Sequence, residues 1–263
     1  MSLTLHGIRY SPWTLRARWA LDHHKLPYHY KEHVVWLGEP GLRLESGRLR
    51  GDLTVPLLIE KGAQKNVKTT VLMDSFAIAH FADERGSGEK LIEGVRPEEL
   101  AEIVADCEAL CDFFRARFSS VILSDPELQL EMLPRWVPSS VRRMTLPLVQ
   151  FATRYVQRSF AVERILPEER LHEARGALNR LRYKLVGSQF SYLIGGRFSY
   201  ADIVASSALV GIQPEPGKKF SPRLQEALTH EEFARDFADL LQWRDRVAAK
   251  HRLKAAVRAA EKS

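Results

Sequence analysis

Tyr10–Leu21 reads YSPWTLRARWAL and follows Leu3–Gly7, LTLHG. The junction between these two stretches decides the fold. LTLHG alternates apolar and polar residues, as a half-buried strand does. Pro12 suits the first position of a helix, where a missing N–H costs nothing. Ser11 then stands at the N-cap, its hydroxyl beside unpaired N–H groups and the positive end of a helix dipole. Capping alone is sufficient reason for a serine there. The functional reading is that the same place holds an anion.

Two further stretches extend the pattern. In Thr54–Ile59, TVPLLI, a proline opens an apolar strand and leaves Val55 extended. In Met73–Phe81, MDSFAIAHF, an acid–serine pair precedes a run of helical spacing, so Asp74 or Ser75 is the expected cap. Taken in this order and at these distances, the three stretches resemble the N-terminal thioredoxin-like domain of the glutathione transferases. The resemblance implies roles. Ser11 faces the sulfur of glutathione, Val55 before a cis-Pro56 pairs its backbone with the cysteinyl unit, and Asp74 with Ser75 receives the γ-glutamyl end. It also implies a cytosolic, bacterial-like, serine-type enzyme of detoxification, a homodimer, and glutathione as co-substrate with no metal.

Composition narrows the alternatives. The 263 residues are enough for one large domain or two small ones. No apolar run reaches the roughly 20 residues that span a bilayer, and the start lacks a secretory pattern, so a cytoplasmic protein with no membrane partner is expected. Cys107 and Cys111 are the two cysteines, and their spacing on a helix suits core packing. With no cysteine near Ser11, a protein thiolate cannot carry out disulfide exchange there. The net charge of +6 is spread along the chain, and no nucleic-acid partner is expected. The basic tail from Arg244 to Lys262 reads as a solvated helix face.

Residues 1–84 alternate strand and helix signals as β-α-β-(α)-β-β-α: strand 3–7, helix 12–24, strand 29–35, a loop with a short helix over 38–52, a hairpin of 57–59 and 71–73, and helix 74–84. Residues 85–96 read as a linker. From Pro97 to the end, residues 97–263, the chain turns helical. Leu100, Ile103, Cys107, Leu110, Phe114 and Phe118 form one stripe, and Leu171, Ala174, Leu178, Leu181 and Leu185 a second. Prolines 126, 134, 138 and 147 imply broken helices between them. Ser199 and Asp202 have capping-box spacing, with Phe198 and Ile203 as a staple, which fixes the start of helix 200–210. That device also resembles the family's C-terminal signature. The expected fold class is therefore an α/β thioredoxin-like domain followed by an all-α helical bundle, the glutathione transferase fold. Segments 61–70, 120–160 (with Trp136 and Arg142-Arg143) and 213–230 exceed the family pattern.

The implied chemistry needs an ionised thiol. An ordinary thiol has a pKa of about 8.5, so a hydroxyl donor and a helix N-terminus aimed at sulfur both favour the reactive form. Tyr10 is the alternative donor, since tyrosine-type relatives carry their hydroxyl one position earlier. The serine-type pattern matches more of the segment: Ser11, Pro12, Trp13, Arg16 and Arg18. Arg43, Arg48 and Arg50 could meet the glycyl carboxylate, with Arg50 the choice. His23, His24 and His80 have no partner at triad spacing and read as polar residues rather than bases. The leading function is conjugation of an apolar electrophile to glutathione. The alternative is a non-catalytic binding protein on the same fold.

Overall fold

The computed structural model describes residues 2–35, 38–61, 69–133, 137–159, 167–189, 191–216 and 220–252. The chain groups into two compact units. The first gathers Met1–Leu100, Ser191–Ser207 and Arg246–Ser263; the second gathers Ala101–Phe190 and Ala208–Asp245.

In the first unit a four-stranded sheet has the order β2-β1-β3-β4, with β1 Ser2–Gly7, β2 His29–Glu32, β3 Leu57–Lys61 and β4 Thr70–Met73. β1 runs parallel to β2 and antiparallel to β3, and β3 and β4 form the antiparallel hairpin. The parallel pair needs a crossover, which α1 Pro12–His23 supplies. Residues 62–68 of the expected hairpin loop lie outside the described residues. β2 is shorter than expected and ends at Glu32. His33 N–H donates to Gly7 O at 2.7 Å as the last link, and the chain then turns, with Gly38 N–H on Val34 O.

α2 Glu39–Ser46 and α3 Ser75–Arg85 complete the expected pattern. α2 ends at Gly47, whose φ of 69° suits a residue without Cβ. Glu45 fastens α2 to the sheet. Its carboxylate accepts two hydrogen bonds from Lys31 Nζ at 2.9 Å, and His6 Nε2 and Lys61 Nζ lie 3.3 and 3.5 Å away. Burial lowers the pKa of His6 despite that carboxylate.

The later segments of this unit close over α1. Trp19 is fully buried, with its ring 6.1 Å from Phe198. Phe198 stacks on His251 at 4.0 Å, and the Arg252 guanidinium lies 5.7 Å from the Trp19 ring. Arg197 donates to the carbonyls of Lys90 and Glu93, and Tyr200 N–H donates to Leu91 O at 2.9 Å. The linker is thereby tied down at several points.

Helices fill the second unit and its borders: α4 Pro97–Ser124, α5 Pro126–Glu131, α6 Ser139–Arg142, a 3-10 turn Arg143–Thr145, α7 Leu146–Ser159, α8 Pro167–Gly187, α9 Tyr200–Leu209, α10 Pro222–Leu228, α11 Glu231–Asp236 and α12 Ala238–His251. The prolines act as expected. Pro126 and Pro147 stand in first turns, whereas Pro134 and Trp136 lie outside the described residues. The two predicted stripes face inward, buried at Leu100, Ile103, Cys107, Leu110 and Phe114 on α4 and at Ala174, Leu178, Leu181 and Leu185 on α8, with Phe118 and Leu171 half-buried. Cys107 and Cys111 are buried thiols outside any disulfide. Gly211 lets the backbone approach the Phe114 ring; a Cβ there would sit 2.0 Å from it.

Arg244 corrects the reading of a solvated basic tail. It is 1% exposed, and its guanidinium donates to Leu209 O at 3.1 Å and to Gln213 O. A cation at a helix C-terminus satisfies carbonyls that the helix leaves unpaired. The tail from residue 253 on lies outside the described residues.

Candidate functional site

Strand register brings the predicted residues to one end of the sheet. His6 pairs with Leu57, and Leu57 pairs with Met73. One step further along each strand stand Gly7, Pro56 and Asp74. Ser11, the Val55–Pro56 bond and the Asp74–Ser75 pair therefore gather where β1 and β4 end and β3 begins.

Each member is held by local structure. Ser11 is the N-cap of α1, with φ −76° and ψ 127°, and Pro12 opens the helix. The Ser11 Oγ accepts from Thr14 N–H at 3.4 Å, a long capping bond. The turn before it is tight: Ser11 N–H donates to Ile8 O at 2.9 Å, and Ile8 N–H donates to Thr14 Oγ1 at 3.1 Å. Gly7 permits this approach, since a Cβ there would lie 2.4 Å from Thr14 Cγ2.

Tyr10 is half-buried. Burial, with Glu32 nearby, pushes its phenol up to about 12. Glu32 is itself anchored by Arg9 N–H at 3.1 Å and the Tyr30 hydroxyl at 2.8 Å. Tyr10 thus keeps its proton at neutral pH, and the carboxylate beside it disfavours any second negative charge.

The Val55–Pro56 bond is cis, as the resemblance implied. The β1–β3 register stops at Leu57, so the Val55 backbone lies beyond the ladder. Asp74, not Ser75, is the N-cap of α3, its carboxylate accepting from Phe76 N–H at 3.2 Å. Its φ of 79° with ψ of 137° is costly for a residue with a side chain, and such outliers cluster at binding sites. Asp74 is exposed, whereas Ser75 is 2% exposed. The Ser75 hydroxyl accepts from Tyr200 O–H at 3.3 Å.

Among the arginines, Arg43 is committed to Glu39 at 2.6 Å and to the Gly51 carbonyl. Arg50 is exposed in the loop before Pro56. Arg48 reaches Met73 Sδ at 3.9 Å, next to Asp74.

Two relationships escaped the sequence. Tyr200 meets Ser75 from 125 positions away. His24 has the partner that sequence spacing hid: its Nε2 lies 2.6 Å from Asp83 Oδ1, and both are buried. Asp83 also accepts from the N–H groups of Leu91 and Ile92. His23 meets Glu89 O at 2.9 Å, and His80 pairs with Glu84 on the surface. His23 and His24 thus tie the end of α1 to the linker, and His80 pairs along the surface of α3, which suits the reading of the three histidines as surface or core polar residues rather than bases.

A thioredoxin-like sheet whose first helix opens on a serine, followed by helices, defines a glutathione-transferase-type fold. Residues 10–85 match the family described as glutathione S-transferase, N-terminal domain. Among solved structures, the chain is similar to glutathione transferase GSTFuA3 from Phanerochaete chrysosporium. Identity is 18%, coverage is 93% of this chain and 97% of that one, and the TM-score is 0.56. A glutathione S-transferase of Methylobacillus flagellatus with GSH bound matches at 15% identity, over 97% and 96% of the two chains, with a TM-score of 0.55. FzlA from C. crescentus matches at 18% identity, over 95% and 88%, with a TM-score of 0.53. At these identities the likenesses establish the fold. A search of curated proteins by sequence found no match.

Proposed function

We propose that the protein is a serine-type glutathione transferase. The observation that carries this reading is the convergence of Ser11, Val55 and Asp74 on one sheet end. The donor set suits the tripeptide. The exposed Asp74 carboxylate receives the γ-glutamyl ammonium, and the N-terminus of α3 favours the carboxylate beside it. The Val55 backbone pairs with the cysteinyl unit as a short antiparallel strand. Arg50, or Arg48 near Met73, meets the glycyl carboxylate.

The thiol supplies the nucleophile. The Ser11 hydroxyl donates a hydrogen bond to the ionised sulfur, and the N-terminus of α1 adds its partial positive charge. Each unit by which they depress the thiol pKa corresponds to about 1.4 kcal/mol. Ser11 is the donor rather than Tyr10 because it caps the N-terminus of α1, while Tyr10 sits beside the Glu32 carboxylate. An apolar electrophile held nearby reacts by proximity.

The test is thermal unfolding with and without millimolar glutathione, followed by conjugation of a generic aryl halide. Binding raises the melting temperature by mass action. No shift with glutathione or its analogues would end the reading. The alternative is a non-catalytic protein on the same fold. A shift without turnover would select it.

A further inference from the structure

Residues 132–162 contain five arginines and no aspartate or glutamate. Within that stretch α6, the 3-10 turn and α7 expose Val141, Met144, Leu148, Phe151 and Tyr155, spaced three, four, three and four residues apart. Met144 is 79% exposed and Phe151 49%. On α7 this spacing makes a single stripe. The opposite face of α7 is engaged: Gln150 donates to Gln129 Oε1 at 3.2 Å, and Gln157 donates to Ser119 Oγ at 3.2 Å. Arg154 and Arg158 border the stripe, within about 60° of Phe151 at the helical 100° per residue. Among the described residues neither has an acidic partner, and Arg143 meets Glu127 at 3.7 Å.

We propose that this face docks on an anionic lipid surface. The stripe enters the boundary between headgroups and acyl chains, and the arginines meet the lipid charges. Charge complementarity favours this occupant over a second copy. A two-fold axis through the stripe would set Arg154 and Arg158 close to their own copies, with no acid in the segment to offset them. Among the described residues no helix is long and apolar enough to cross a membrane, so the mode is surface attachment. The expectation of no membrane partner rested on the lack of a spanning run, which does not address this mode. Of the other exposed apolar residues, Leu44 and Leu49 make no helical stripe, and Tyr183 and Val186 on α8 stand beside Arg182 and Lys184, which pair with Asp239 and Glu102.

The experiment is sedimentation of the full chain with vesicles of phosphatidylcholine alone, or with about one third phosphatidylserine. The expected result is binding to the anionic vesicles, at least about tenfold weaker to the neutral ones, and weakened by salt. Leu148→Gln with Phe151→Gln, and separately Arg154→Glu with Arg158→Glu, are each expected to reduce binding about tenfold or more while leaving the melting temperature unchanged. Binding that survives both double variants would overturn the proposal. So would loss with the arginine pair alone, which would mark simple electrostatic adsorption. Failure to bind, with a native dimer that the Leu148/Phe151 variant splits, would instead assign the face to a second copy.

Discussion

Asp202 shows burial and hydrogen bonding competing over one carboxylate. Burial pushes it up from an ordinary 3.8 to about 6, against the pull of the Leu193 and Ser199 N–H groups at 2.9 and 2.8 Å. The Ser199 hydroxyl also donates to it, so the capping box works chiefly through the acid. Because the folded state holds this proton more tightly than the unfolded chain, its contribution is full below about pH 4 and is lost as pH rises through about 6. Urea unfolding of the native protein and Asp202→Asn is therefore expected to give a stability difference that moves against the native protein over that window. A difference independent of pH would remove the argument. The same scale separates the two candidate donors. Ser11→Ala is expected to lower kcat about 10²- to 10³-fold while KM for glutathione changes little, and Tyr10→Phe to lower kcat only a few-fold. With the Tyr10 phenol near 12, no phenol ionisation should shape the pH–rate profile below about pH 10. A larger loss in Tyr10→Phe than in Ser11→Ala would reverse the assignment.

Elements whose signals are local were legible. The strand before Ser11, the proline-opened strand, the acid–serine cap and the two apolar stripes each depend on spacings of two to four residues, and each lies where those spacings put it. What escaped depends on distance along the chain. No local spacing links His24 with Asp83, 59 positions away, or Ser75 with Tyr200. Arg244 looked like part of a solvated face because the carbonyls it caps belong to a helix some 35 residues earlier. The Asp83 node has a measurable weight. Its removal orphans two backbone N–H groups and the ring of a buried histidine, so Asp83→Ala is expected to cost about 2–4 kcal/mol in chemical denaturation. Glu84→Ala, next to it on the surface, should cost less than about 0.5 kcal/mol. Equal costs would mean that the node contributes nothing special.

Across the whole molecule, a charge excess that looks diffuse in the total hides long acid-free stretches, of which residues 132–162 are the longest. Averages over 263 residues dilute such a segment, whereas its effect on association is set by local field. The grouping of residues 191–207 and 246–263 with the first hundred has a consequence for anyone dissecting the protein. A piece cut after residue 96 would keep every strand of the sheet, yet would strip Trp19 of Phe198 and Arg252 and leave the carbonyl of Leu91 without Tyr200. Swapping front halves between relatives would thus require transplanting three separate strings of sequence, and inheritance by simple cassette exchange is closed to this architecture.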